Sequence, residues 1–289
     1  MPAIQLILHW STLAVAVLAT IEAVILWRVR RHYDWRAYLA SMTDLMVRQY
    51  VVYAYLAFGL ADPLIRWVWA HRLTTVPLGS GSAIATLFVG QDFCYYWFHR
   101  ASHRIRFFWL SHAVHHSSNE MNLSAAFRFG WTSRLIGTSA FFVPMMWLGF
   151  PPGPVFVTLN LGLLYQFWLH NGWTPKLGPL EWVLNTPSHH RVHHAANPEY
   201  LDRNYGGVLI VFDRLFGTFA EERVHVLCRY GLVTPLRSNN PVWIAFHEYV
   251  ALARDLWREP RRWARALLAP PADYRAAARD CAPHPVPAE

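Results

Sequence analysis

A series of long apolar blocks limits what this chain can become more than any other feature. Residues 4–27 form an almost unbroken apolar run, long enough to cross a bilayer as a helix, which takes ~20 residues. Arg28, Arg30 and Arg31 follow at once, which sets the C-terminal end of this helix in the cytoplasm. The run has no basic n-region and no small-residue cleavage site, so it reads as a retained helix rather than a signal peptide. A second block covers residues 50–60 and stops at Asp62-Pro63, with Arg48 near its start, where an arginine can snorkel to the interface. A third covers residues 76–98. Trp131–Phe150 and Val155–Trp168 form an apolar hairpin across PPGP at 151–154, with a second arm short enough to be re-entrant. Only a helix satisfies its own backbone in lipid without a closed barrel. The expected fold is an all-α integral membrane protein with four to five transmembrane helices and a cytoplasmic helical cap.

The blocks divide the chain. Residues 1–98 hold the first three spans, and 99–134 form a polar cytoplasmic segment marked by Arg100, Arg104, Arg106, Arg128 and Arg134. Residues 135–170 form the hairpin, 171–269 the cap, and 270–289 a Pro/Ala-rich tail expected to be poorly ordered. Trp243–Trp257 reads as an amphipathic helix lying on the membrane or on the cap.

Charged residues are only 15% of the 289, against about 25% in an average soluble chain. The net charge of +8 is scattered between apolar blocks, so it serves topology and lipid headgroups and excludes nucleic acid as a partner. All basic residues but Lys176 are arginine, a bias that suggests a GC-rich, bacterial genome and an inner-membrane location. The three cysteines (Cys94, Cys228, Cys281) are far apart and unpaired by spacing, so neither a disulfide framework nor a cysteine-based metal site is expected.

Metal chemistry therefore rests on histidine. His99 and His103 form HxxxH, while His112, His115 and His116 form HxxHH, as do His190, His193 and His194; His170 stands alone. Residues three and four apart share a helix face, so each cluster can aim its imidazoles at one point. One metal takes about four to six ligands, so nine donors imply two metals with open positions. Imidazole suits iron, zinc and copper alike. A site at the mouth of an apolar bundle matches oxygen activation by non-haem iron on a lipid C–H bond. HExxH, GxSxG, P-loop and GxGxxG motifs are absent, which argues against zinc hydrolysis, acyl hydrolysis, ATPase and dinucleotide chemistry. Asp92, Asn119, Glu120, Asn185 and Asp213 are candidates to orient the imidazoles from behind. His9, His32, His71, His225, His247 and His284 read as interface or surface residues. Gly206-Gly207 reads as a turn or close packing point.

These motifs, HRxxH at 99–103, HxxHHSSxxxN at 112–122, His170, TPSHHRVHH at 186–194 and NYGGVLIVFDRLFGTF at 204–219, resemble the fatty acid hydroxylase/sterol desaturase superfamily. The last stretch resembles most its alkylglycerol monooxygenase branch. The resemblance, over roughly Asp92–Phe219, implies a helical membrane bundle, a cytosolic cap, two iron ions, O2 as oxidant and an external reductant. Carried over position by position, it implies that His99, His103, His112, His115, His116, His170, His190, His193 and His194 are ligands, with His189 behind them or as an alternate ligand. Arg104 departs from the glutamate that the glyceryl-ether branch tends to carry after the second histidine of the first box, so the resemblance does not by itself imply pterin-dependent ether cleavage and leaves the use of a pterin open. With no fused cytochrome b5-like domain in the sequence, a separate electron donor of reductase, ferredoxin or cytochrome type is expected.

Three functions follow: a lipid hydroxylase; a sterol or fatty-acyl desaturase, which removes a second hydrogen instead of adding oxygen; and a non-catalytic metal-binding membrane protein. The last would set its histidines within the spans, facing a pore. They lie outside them, which favours an enzyme.

Overall fold

The computed structural model describes residues 2–52 and 59–271. The second expected span falls partly, and the expected tail almost entirely, outside the described residues. The rest is helical, and among the described residues the only β features are two isolated bridges, Leu184–Leu209 and Ala195–Tyr230.

Helix α1 (Pro2–Arg30) leads into α2 (Trp35–Met46), whose start is capped by the Asp34 carboxylate accepting from the Ala37 amide. A π-helical turn (Val47–Val52) follows, then α3 (Asp62–Ala70). Helix α4 (Gly81–Arg104) begins where the Ser80 hydroxyl accepts from the Ala83 amide. It breaks at Ile105, whose extended backbone turns the chain into α5 (Arg106–His115). After α6 (Val143–Trp147), α7 (Pro152–Leu169) starts on prolines, which tolerate the first turn because their missing N–H is not needed there. Helices α8 (Pro187–His194) and α9 (Val211–Leu215) flank the loop 195–210, and α10 (Pro241–Arg258) and α11 (Trp263–Leu268) close the chain.

Two findings revise the expected organisation. The polar segment does not start a new element at residue 99, because α4 continues unbroken and carries His99 and His103 on its last turns. Residues 131–150 are not one spanning helix. They form turns, a 3-10 segment (Thr138–Phe142) and the five-residue α6. Gly137, with φ of +73°, and Pro144 interrupt the helix that apolar composition alone would favour. Among the described residues one helix, Trp10–Arg30, is both long and apolar enough to cross a membrane.

The apolar core lies where α4, α6 and α7 meet: Leu87, Cys94, Tyr95, Met145, Met146, Phe150 and Val155 are buried together. A second cluster (Ala19, Leu45, Leu123, Ala126, Phe127, Phe167) joins α1 and α2 to α7. Outward, Val17, Leu18, Ile21, Ile84, Val89 and Leu161 remain exposed, as in helices whose outer faces meet lipid.

Candidate metal centre

Four helices aim histidines at one buried region. α4 brings His99 and His103, α5 brings His112 and His115 with His116 at its end, α7 ends on His170, and α8 brings His190, His193 and His194. Their ligand atoms fall into two groups, His99, His103, His112, His116 and His193, and His115, His170, His190 and His194, each with its ligand atoms within 4.8 Å of one another. All nine positions singled out from spacing are thus brought together, and His170, alone in sequence, joins the second group.

Backbone carbonyls orient several rings. The Nδ1 of His99 faces the Tyr205 carbonyl at 2.8 Å, His115 that of Arg128 at 3.1 Å, His170 that of Gln166 at 2.8 Å and His193 that of Arg203 at 2.9 Å. A carbonyl only accepts, so each Nδ1 carries the proton and each Nε2 presents a lone pair. His103 differs, with its Nδ1 3.6 Å from the Asp202 carboxylate.

Consider His115 and His170. Both spend Nδ1–H on a carbonyl, yet their Nε2 atoms lie 3.2 Å apart. Two lone pairs at that distance repel unless a cation lies between them. The Nε2 atoms of His170 and His190 at 2.9 Å, of His190 and His194 at 3.1 Å, and of His112 with His99, His103 and His116 at 3.1–3.2 Å are equally close, and since one Nε2 carries at most one hydrogen, His112 cannot bond all three of its neighbours. Nitrogens bonded to one metal at ~2.1 Å and at right angles stand ~3 Å apart. His193 Nε2 is buried without a hydrogen-bond partner, an orphan that a metal would satisfy. Burial first, and neighbouring imidazoles next, hold His112, His116, His190 and His194 well below the ordinary histidine range. They are neutral at pH 7 and ready to ligate. The donor set fits two metal ions.

The polar residues expected behind the rings lie one layer further out. Asp92 accepts from the Val208 and Leu209 amides at 3.0 and 2.9 Å. Asp213 accepts from the Tyr205 and Gly206 amides at 2.7 and 2.6 Å and from the Thr218 hydroxyl at 2.7 Å. Asn185 donates to the Gly206 and Gly207 carbonyls at 2.6 and 3.2 Å. All three grip the loop that presents the Tyr205 carbonyl to His99. Gly207 is a close approach, since a Cβ there would sit 2.6 Å from Asp92 Oδ1. Asn119 packs against Gly231, and Glu120 accepts from Asn122 at 3.3 Å. His189 turns away from both groups, toward Phe219 and to within 3.8 Å of Glu181.

Four further residues make supporting contacts that the sequence reading did not anticipate. Asp202 stands beside His103 and Arg104. Asn204, with φ of +57°, donates to the His189 and Ala220 carbonyls at 3.1 and 2.8 Å and accepts from the Ala220 amide at 2.8 Å. Arg128 reaches Ser41, Ser117 and the Ala37 carbonyl at 3.0–3.1 Å. Glu22, buried on α1, accepts from the Leu123 amide at 2.6 Å and Trp173 Nε1 at 2.9 Å. A glutamate late in an apolar run was the one visible signal among them.

Residues 84–218 match the family model described as fatty acid hydroxylase. The chain belongs to this family. Within it, the likeness runs to the alkylglycerol monooxygenase-like branch. The chain is 43% identical over 195 residues to the alkylglycerol monooxygenase of Homo sapiens, covering 67% of this chain and 43% of that protein. Identity is 42% over 195 residues to the Xenopus tropicalis protein of the same name, with the same two coverages. Ornithine lipid hydroxylase OlsE of Rhizobium tropici is 34% identical over 133 residues, 44% of this chain and 39% of that one. The chain spans less than half the length of these relatives. No solved structure matches.

Proposed function

We propose that this chain is a membrane-bound non-haem di-iron oxygenase that hydroxylates a lipid C–H bond. The observation that carries the reading is the convergence of nine imidazoles into two groups, with the unprotonated Nε2 atoms of His115 and His170 facing each other at 3.2 Å, an arrangement that a cation between them would stabilise. The nine imidazoles would hold two irons, which supply the activation of O2 with electrons from a separate donor. The balance is R–H + O2 + two electrons + two protons → R–OH + H2O. The chain's own residues fix the tautomers of His99, His115, His170 and His193 through backbone carbonyls, exclude water by burial, and leave no protein carboxylate in either histidine group.

Relatives named as lipid monooxygenases and hydroxylases support a lipid substrate, and alkylglycerols are the first class to test. The arginines after α1 support a site on the cytoplasmic side of four to five spans.

The test is lipid mass spectrometry under isotopically labelled O2, comparing wild type with His193→Ala in one host. A lipid that gains one labelled oxygen only with wild type supports hydroxylation. A lipid that loses two hydrogens without label makes the enzyme a desaturase. Equal lipid profiles on supplying alkylglycerols and a reductant would sink the oxygenase reading.

A further inference from the structure

Helix α10 is apolar on two opposite faces. Ile244, Ala245, Glu248 and Leu252 are buried inward, and α10 packs against α5, which carries two of the nine histidines and is capped by a third, His116. The opposite stripe carries Trp243, Phe246, Val250 and Trp257, all exposed, the last at 88%. At 3.6 residues per turn these four lie within about 60° of one another. The next helix continues the surface with Trp263, 59% exposed, and Leu268.

Charge surrounds this stripe asymmetrically. Arg254, Arg258, Arg261, Arg262 and Arg265 are exposed along its flank and end. Among the described residues opposing carboxylates are few: Asp255 pairs with buried Arg106 at 2.7 Å, and Glu259 pairs with Arg262 at 2.8 Å. The stripe also meets the start of the apolar segment 131–150, because Phe246 meets Trp131 edge-on at 5.8 Å and Tyr249 donates to Thr132 at 2.6 Å. Exposed indoles beside arginines, next to a lipid-facing segment, suit the bilayer–water boundary, where the indole is half-buried and the guanidinium meets phosphate.

We infer that α10 and α11 lie in the plane of an anionic lipid surface, with Trp243, Phe246, Val250, Trp257 and Trp263 entering the headgroup layer and the arginines binding lipid phosphates. The occupant is a bilayer carrying negative headgroups, because a purely apolar partner would leave the arginines without counter-charge. Lipid contact on the outer face and α5 on the inner face place one rigid helix between the membrane surface and the histidine-bearing helix. This surface goes beyond the proposed oxygenase reaction and does not depend on it.

The test reconstitutes the full chain in nanodiscs whose lipids are brominated near the headgroup, in neutral phosphatidylcholine alone or with phosphatidylglycerol added. Tryptophan fluorescence of wild type is compared with Trp257→Phe/Trp263→Phe. The inference expects brominated lipid to quench a component that the double variant lacks, and that component to grow with phosphatidylglycerol. Arg258→Gln/Arg261→Gln/Arg265→Gln should lose the phosphatidylglycerol-dependent part, while size-exclusion behaviour stays unchanged. Equal lipid quenching in wild type and double variant, with the missing component quenched by aqueous acrylamide, would overturn it. A dimer of wild type that the double variant turns into monomer would also overturn it, since a second copy would then cover the face.

Discussion

Asn204 offers a sharp test of how the loop beside the metal groups is held. It is fully buried and left-handed, and its side chain satisfies two carbonyls and one amide, those of His189 and Ala220. Asn204→Ala leaves the Ala220 amide without this acceptor, at about 1–3 kcal/mol for a buried donor. It also forces a Cβ-bearing residue without a compensating side-chain bond into the left-handed region, at about 1–2 kcal/mol. The sum is about 2–5 kcal/mol, or on the order of 10 °C in melting temperature for a chain of this size. Asn204→Gly loses the same hydrogen bonds but not the backbone preference, so it should melt about 1 kcal/mol above the alanine variant. The neighbouring Tyr205 carbonyl orients His99, so both variants should also lose metal from the five-histidine group first. Melting of the purified protein in detergent, followed with bound iron, checks both points. An alanine variant that melts with wild type, or a glycine variant that melts below the alanine one, would overturn this assignment of the Asn204 contacts.

Other outcomes follow from the same contacts. Glu22→Gln places an amide NH2 against one of two donors, the Leu123 amide or Trp173 Nε1, and should cost about 1–3 kcal/mol; adding Trp173→Phe removes one donor and should recover part of it, so a strictly additive double-mutant melt would contradict the pairing. Gly207→Ala forces a Cβ to 2.6 Å from Asp92 and 2.8 Å from the Tyr95 ring, an overpacking of about 1–3 kcal/mol that should appear as a lower melting temperature and weaker metal retention. Burial pushes the Asp213 carboxyl up to about 6 from 3.8, against the pull of Thr218, Tyr205 and Gly206. The folded state therefore holds this proton more tightly than the unfolded chain. The stabilisation is complete below pH 3.8 and is lost as pH rises through about 6, about 3 kcal/mol in all. The stability difference between wild type and Asp213→Asn should fall across that window, and a flat difference would exclude the effect.

Helical spacing made much of the candidate site legible. HxxxH and HxxHH patterns work because local periodicity fixes which side chains share a face, and His99 with His103, or His190 with His194, need no tertiary knowledge. The partition into groups of five and four was not legible, because it depends on how α4, α5, α7 and α8 cross. The supporting shell was hidden for a related reason. Backbone carbonyls of Gln166, Arg128, Arg203 and Tyr205 have no sequence signature, whereas Asp92, Asn185 and Asp213 drew notice as polar side chains yet hold a loop rather than a ring. Apolar composition also overstated regularity in residues 131–150, where Gly137 and Pro144 break the helix.

The nine clustered histidines, eight buried and His112 half-buried, are expected to hold one metal in each group, which metal counting on the purified chain checks. Wild type should carry two irons per chain. Iron should be lost from the four-histidine group on His115→Ala or His170→Ala, and from the five-histidine group on His193→Ala, with the fold retained by circular dichroism. A wild-type chain that binds one metal at most when iron is supplied in excess, or alanine variants that keep both, would contradict it.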